Sequence, residues 1–219
     1  MAHRLNSEEL QGKSAKDVMD LLPRVTSEKH PDSDDFYSYK YTSIEHVIPE
    51  IKIDGDWAQF GVYKGNIAKE ILKSLPKDTT LHLLDSFEGL PEDWIGVWKA
   101  GAFQLTSEEI PVFDDQRVMI HKGWFSDTVP VMARQQENPF AFMHIDCDLY
   151  SSTIDCLFGL NDFIVPGTVL LFDEYMMLNN GESDDGEHRA LVEWMEKFDR
   201  QVEYLWRTNW VQVAARVTR

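Results

Sequence analysis

Basic residues are scarce in this chain: 21 Lys and Arg stand against 38 Asp and Glu, a formal net charge of -17. A nucleic-acid backbone or an anionic membrane surface needs a positive patch. The few basic residues are scattered, so neither is expected as a partner. No uninterrupted apolar run approaches the ~20 residues of a membrane-crossing helix. Charge appears early between Met1 and Glu9 with no apolar region behind it, so no signal peptide is expected and a cytoplasmic location is. Cysteine is nearly absent: Cys147 and Cys156 fall at a predicted strand end and in the helix that follows. A disulfide between them stays open, but reduced thiols suit a cytosolic chain better. Repeats and low-complexity tracts are missing. So are the tight G-x-G-x-x-G of dinucleotide folds and the G-K-[ST] of a phosphate loop.

What is present fits a folded α/β protein. Hydrophobic residues make up 43% of the 219, enough for a core in one large domain or two small ones. The first fifty residues read as a helical or irregular extension (1–50), with an amphipathic stretch at Val18, Met19, Leu21 and Leu22 and a turn or link over Pro31–Asp35. The aromatic cluster of Phe36, Tyr37, Tyr39 and Tyr41 reads first as packing and second as a cover over a ligand. A single domain is expected over 51–219. In it the predicted strands Trp57–Phe60, Leu81–Leu84, Val118–Ile120, Phe140–Ile145 and Val169–Phe172 are interleaved with helices. The clearest helices are Asn66–Leu75, Ser151–Phe163 (capped near Ser151 or Ser152) and Glu187–Phe198. Val202–Trp206 and Trp210–Val217 are separated only by a turn at Thr208-Asn209. The pattern predicts a mostly parallel sheet with helices on both faces and a C-terminal antiparallel hairpin.

Two hydrophobic runs end in acids: Phe140–Ile145 leads into Asp146-Cys147-Asp148, and Val169–Phe172 into Asp173-Glu174. In an open α/β sheet, ligands bind just past the carboxyl ends of the strands. Carboxylates gathered there repel one another unless a cation or proton joins them. Their oxygens suit Mg²⁺ or Ca²⁺. Ahead of them, Gly61-Val62-Tyr63-Lys64-Gly65 joins the first strand to its helix, where glycines let backbone approach a ligand. Alone, that spacing is equally a structural turn. Asp85 ends the next strand, where an acid can accept both ribose hydroxyls. Together they favour a nucleoside ligand without a pyrophosphate.

The same residues occur as five ordered words: Phe60-Gly61-Val62-Tyr63-Lys64-Gly65, Leu84-Asp85-Ser86-Phe87-Glu88-Gly89-Leu90-Pro91, Lys122-Gly123-Trp124-Phe125-Ser126-Asp127, His144-Ile145-Asp146-Cys147-Asp148-Leu149-Tyr150, and Phe172-Asp173-Glu174-Tyr175 among them, with Ser151-Ser152-Thr153 and Thr128-Val129-Pro130 extending two of these. In them, over roughly 57–200, the chain resembles the macrocin-type sugar O-methyltransferases of antibiotic tailoring, which include mycinamicin and novobiocin sugar methyltransferases. The resemblance implies a class I methyltransferase fold, Rossmann-like, with S-adenosylmethionine as donor and Mg²⁺ as cofactor. It places Asp146, Asp173 and Glu174 on the metal and Asp148 as general base on the acceptor hydroxyl. It places Gly61, Val62, Tyr63 and Gly65 near the methionine end, Asp85 and Ser86 at the ribose, Gly123, Trp124 and Phe125 near the adenine, and Asp146 beside the donor as well. The implied acceptor is a small molecule, a glycoside or another vicinal diol whose adjacent oxygens chelate one ion. An assembly of identical copies stays open.

Three departures stand beside the resemblance. Gln59 occupies a position where the family usually has an acid, Asp173-Glu174 replaces the usual Asp-Asp, and the N-terminal part is short. They motivate a second reading, a non-catalytic protein that binds S-adenosylmethionine or metal on the same fold. The remaining polar residues have structural readings first: His144 packed and hydrogen-bonded in the core, Tyr150 supporting the acidic loop, His188 and Arg189 facing solvent. Trp124 stacks on adenine or packs in the core, Tyr175 flanks the acceptor or does not, and His121 is a reserve candidate near the adenine.

Overall fold

The computed structural model describes residues 5–29, 36–179 and 182–219. The expected link at Pro31–Asp35 lies outside the described residues, as do the side chains of Phe36 and Tyr37. An eight-stranded sheet runs through the molecule in the order β1-β9-β10-β6-β5-β2-β3-β4. In chain order the elements are β1 (Leu5–Asn6), α1 (Ala15–Leu21), α2 (Phe36–Val47), β2 (Asp56–Phe60), α3 (Asn66–Leu72), β3 (Leu81–Asp85), β4 (Val118–Lys122), α4 (Phe125–Gln135), β5 (Phe140–Ile145), α5 (Tyr150–Gly159), β6 (Ile164–Phe172), β7 (Met177–Asn179), β8 (Glu182–Asp184), α6 (Gly186–Phe198), β9 (Val202–Arg207) and β10 (Val213–Val217). Strands β2 to β6 pair in parallel. The C-terminal hairpin is antiparallel, and its second strand, β10, inserts between β6 and β9.

Burial explains the central strands. Every residue of β2 and β5 is buried, as expected of parallel strands covered on both faces. Alternate residues feed two cores. Phe60, Met143, Ile145 and Phe172 meet the face that carries α4, α5 and α6, and Trp57, Phe142, Leu83 and Leu171 meet the face that carries α2 and α3. Residues before Glu50 join this framework: β1 pairs with β9, and Arg24 bridges Arg207.

Several local expectations are corrected. A long helix, α4, stands where no helix was expected, and α2 lies within the stretch read as helical or irregular. Helix α5 starts at Tyr150 with no side-chain cap, because Ser151 Oγ donates instead to Glu92 Oε1 at 2.6 Å. Strand β10 begins at Val213, not Trp210, since Thr208 bonds Gln212 across the turn through both backbone and side chain. Leu21 of the amphipathic stretch is exposed, whereas Val18, Met19 and Leu22 are buried. Both cysteines are free and buried.

At the sheet edge, His82 and His121 stack, with His82 Nδ1 and His121 Nε2 3.0 Å apart. Burial and the neighbouring His82 push His121 down to about 4 from 6.5. Its neutral form is therefore favoured in the fold, while the unfolded chain takes up the proton near the ordinary value. The stability it contributes is present above pH 6.5 and lost as pH falls toward about 4. Asp56, 3.8 Å from His82 Nε2, is held down to about 2 despite burial by His82 and by Thr80, Gln136 and Asn138, so its contribution is lost only below 3.8. Thermal melts of the chain and of His121→Gln should differ in slope between pH 6.5 and 4 and run parallel below it. Identical profiles through that window would show that His121 does not carry it.

Candidate active site

A cavity of about 700 Å³ opens at the carboxyl ends of β2 to β6. The loops leave these ends side by side, tied by backbone bonds from Gly61 N–H to Leu84 O, from Asp146 N–H to Phe60 O and from Asp173 N–H to Ile145 O. Gly61 (φ 85°) is forced by this crowding, since a Cβ there would lie 1.7 Å from the Asp146 carbonyl oxygen. Gly65 (φ 76°) turns the chain into α3. Between them, the Val62 and Tyr63 N–H groups donate to Asp85 Oδ2 at 2.7 and 2.8 Å, and Phe87 N–H donates to Oδ1 at 2.7 Å. Asp85 thus fixes the glycine turn as well as lining the cavity. A carboxylate has about four lone-pair sites, so acceptor capacity remains. Ser86 lines the same wall and accepts the Glu88 N–H at 3.0 Å. Gly123, Trp124 and Phe125 line the far end, where Phe125 packs edge-on against Phe60. Gln59, in the acid's place, donates to Gly61 O at 2.9 Å and leaves its buried Oε1 without a hydrogen bond.

The acids converge at the other end. Asp146, Asp148 and Glu174 bring one oxygen each within 4.8 Å of one another, and Asp146 also groups with Asp173 and His144. Asp148 stands in the left-handed region (φ 63°), a conformation that re-aims its side chain at the cavity it lines. Glu187, fully buried on α6, accepts the Glu174 N–H at 3.1 Å and so holds the second acidic turn. His144 is packed, as expected, but neither ring nitrogen has a hydrogen bond. Its Nε2 stands 3.6 Å from Asp173 Oδ1 because the sheet seats it beside the acids.

One participant had no place in the sequence reading. Lys40 of α2 sends Nζ to 2.8 Å from Asp146 Oδ1, 2.7 Å from Asp173 Oδ2 and 3.8 Å from Glu174 Oε1. A signal for it existed: Lys40 continues the buried Ser43, Ile44 and Val47 stripe at helical spacing. Burial would lower this ammonium, but the three acids outweigh that and hold it well above the usual lysine range. Asp173 is likewise raised by burial but carried well below its ordinary value by Lys40. Glu174 goes far upward through burial and the Asp173 charge, and Asp148 rises to about 8 through burial and then Asp146. The pocket therefore holds both ionised and proton-retaining carboxyls. Its oxygens suit a hard cation, and Asp173 Oδ1 and Glu174 Oε2 accept no hydrogen bond.

A wall of aromatics completes the cavity. Trp98 and Phe103, with rings 4.8 Å apart, stay more than a third exposed at its mouth, and Trp94 is anchored through Nε1 to Asp184 Oδ2 at 2.6 Å. Other candidates lie elsewhere. Tyr175 is fully buried and bonded to His188 and Tyr204, so it does not flank an acceptor and His188 does not face solvent. Arg189 covers the Tyr150 ring, whose hydroxyl donates to Glu193 Oε2 at 2.5 Å. His121 pairs with His82 on the outer strands and does not line the cavity.

This geometry agrees with the comparisons. The sequence profile of the family described as macrocin O-methyltransferase (TylF) matches residues 40–207. The chain belongs to that family. Demethyldecarbamoylnovobiocin O-methyltransferase of Streptomyces niveus is 28% identical over 189 residues, which cover 76% of this chain and 71% of that protein. The structure of the O-methyltransferase NovP aligns with a TM-score of 0.63 at 26% identity, over 82% of this chain and 78% of NovP. The calicheamicin methyltransferase CalS11 shares the fold at a TM-score of 0.62 and 19% identity, over 80% and 77% of the two chains. As a macrocin-type enzyme, the chain transfers a methyl group to oxygen with S-adenosylmethionine as donor. Among the described residues, no helix is long and apolar enough to cross a membrane.

The contact between the two loops yields a stability prediction. Gly61→Ala adds a left-handed strain of ~1–2 kcal/mol and an overpacking cost of ~1–3 kcal/mol, together roughly 2–5 kcal/mol. Denaturant unfolding should show this loss. A change below ~1 kcal/mol would mean the loops separate more easily than their close approach implies.

Proposed function

We propose that the chain methylates a hydroxyl of a sugar or another vicinal diol, with Mg²⁺ held by Asp146, Asp173 and Glu174. The observation that carries this reading is a single cavity joining the glycine turn and Asp85 at one end to the convergent carboxylates at the other. Support for a sugar acceptor comes from the similarity to the rhamnosyl-tetracenomycin C 4'-O-methyltransferase of Streptomyces olivaceus, 30% identical over 144 residues. The exposed faces of Trp98 and Phe103 also suit the apolar face of a sugar ring. Gly61, Val62, Tyr63 and Gly65 would cradle the methionine portion, Asp85 and Ser86 the ribose, and Gly123, Trp124 and Phe125 the adenine, with Asp146 between donor and acceptor.

When bound, S-adenosylmethionine supplies an electrophilic methyl and Mg²⁺ supplies charge that favours ionisation of a neighbouring hydroxyl. The chain's residues do the rest. With Mg²⁺ bound, the cation's charge would bring Asp148 down from its raised value of about 8, and its carboxylate would take the hydroxyl proton as the O–C bond forms and the C–S bond breaks. The Gly61 turn and the acidic loops, bonded to each other through their backbones, fix the distance between the two ends.

Two measurements test these assignments. Asp148→Asn should lower kcat by ~10²–10⁴-fold with donor affinity nearly intact, whereas Asp146→Asn should regain rate as Mg²⁺ is raised. Full rescue of the Asp148 variant by excess Mg²⁺ would make that residue a metal ligand and leave the base unassigned. Calorimetry on Asp85→Ala should show donor binding weaker by about 1–3 kcal/mol and metal binding unchanged. Unaltered donor affinity would remove Asp85 from the donor site.

A further inference from the structure

Among the described residues, Lys40 is the only buried lysine. Helix α2 packs against α3 and β6 and carries this side chain into the carboxylate centre. There its ammonium contacts Asp146 and Asp173 at 2.8 and 2.7 Å and lies 3.8 Å from Glu174. These are the carboxylates that the reading above gives to Mg²⁺. An ion shared by them would sit ~2.0–2.1 Å from their oxygens, in the same small pocket as Nζ. A dication and an ammonium cannot share that position, because like charges at such separation repel strongly in a buried site.

We propose that Lys40 is the resident cation of the centre and competes with the divalent ion for Asp146 and Asp173. The proposal rests on the metal reading of these acids. When the ion enters, the Lys40 side chain swings off the carboxylates into the cavity that it already lines. Without the ion, Lys40 compensates the buried acids and keeps the two acidic loops together. Ion affinity is thereby set lower than the acids alone would give. Lys40 is a positioning residue in this scheme and touches no reacting atom.

A rival account makes the Lys40 contacts a purely structural ion pair, with no consequence for metal. The two differ in metal affinity, which is measured without turnover. Lys40→Met keeps much of the length and removes the charge. Calorimetric titration with Mn²⁺ alone, an oxygen-preferring substitute for Mg²⁺, should give a Kd at least tenfold lower in the variant than in the native chain. The ion-free melting temperature of the variant should also fall, and Mn²⁺ should restore it. Equal or weaker Mn²⁺ binding in folded Lys40→Met would overturn the competition while leaving the metal site in place. No Mn²⁺ binding to either protein would overturn both. If Lys40→Met does not fold without the ion, the native chain supplies the test. Acetylation of Lys40 by an N-hydroxysuccinimide ester, read by mass spectrometry, should rise severalfold at saturating Mn²⁺. Unchanged labelling of Lys40 in saturated protein would overturn the proposal.

Discussion

Four carboxylates meet at the ends of two adjacent buried strands, and like charges in a buried pocket hold together only with cations or protons among them. The surrounding structure answers that constraint. Strands β5 and β6 are central and fully covered where they approach the site, so neither acidic loop can move apart without breaking the sheet. Helix α2 brings an ammonium to the pocket, burial drives Glu174 and Asp148 toward their protonated forms, and Glu187 pins the second turn from α6. Four elements, α2, β5, β6 and α6, are thereby bound to one electrostatic requirement. A buried ion pair of this kind is weak evidence for net stability. Its effect here is to keep the acidic loops at one place in the fold.

The glycine-turn end of the cavity is built differently. Its polar contacts are mainly backbone: the N–H groups of Val62, Tyr63 and Phe87 all point at one aspartate, and the turn tolerates no side chain at Gly61. Such a wall has little conformational freedom to lose when a ligand arrives. The acidic end is lined by side chains, with exposed Trp98 and Phe103 and long acidic arms.

Much of this was legible in the sequence, for identifiable reasons. The strands around Phe60, Leu84, Ile145 and Phe172 are short apolar runs closed by glycine or acid, and each expected strand is present. The acids at strand ends placed the cavity. Helix α4 escaped notice because Pro130 and five polar residues interrupt it, although Phe125, Val129 and Met132 keep helical spacing on its packed face. Helix α2 falls in the stretch legible as helical or irregular, but its bounds are obscured by aromatics that also fit a packing cluster. His188 was assigned to solvent because it opens an amphipathic helix, yet Tyr175 and Tyr204 give it a buried hydrogen-bonded place. Contacts of this kind join residues that no local spacing relates.

Lys40 shows the same limit most sharply. From sequence it is one lysine among several, flanked by aromatics and more than a hundred residues from the acids it meets. Its stripe position carries a local conflict, a charged residue where the helix should be apolar. Such conflicts between local rule and observed placement concentrate at functional sites. Desolvating an ammonium is costly unless opposite charge compensates it, so a lysine on a buried stripe implies acids opposite it. The strand-end aspartates already form a dense acidic group beside a predicted sheet end. Read together, the two anomalies point at each other: clustered acids require a cation, and a buried lysine requires acids.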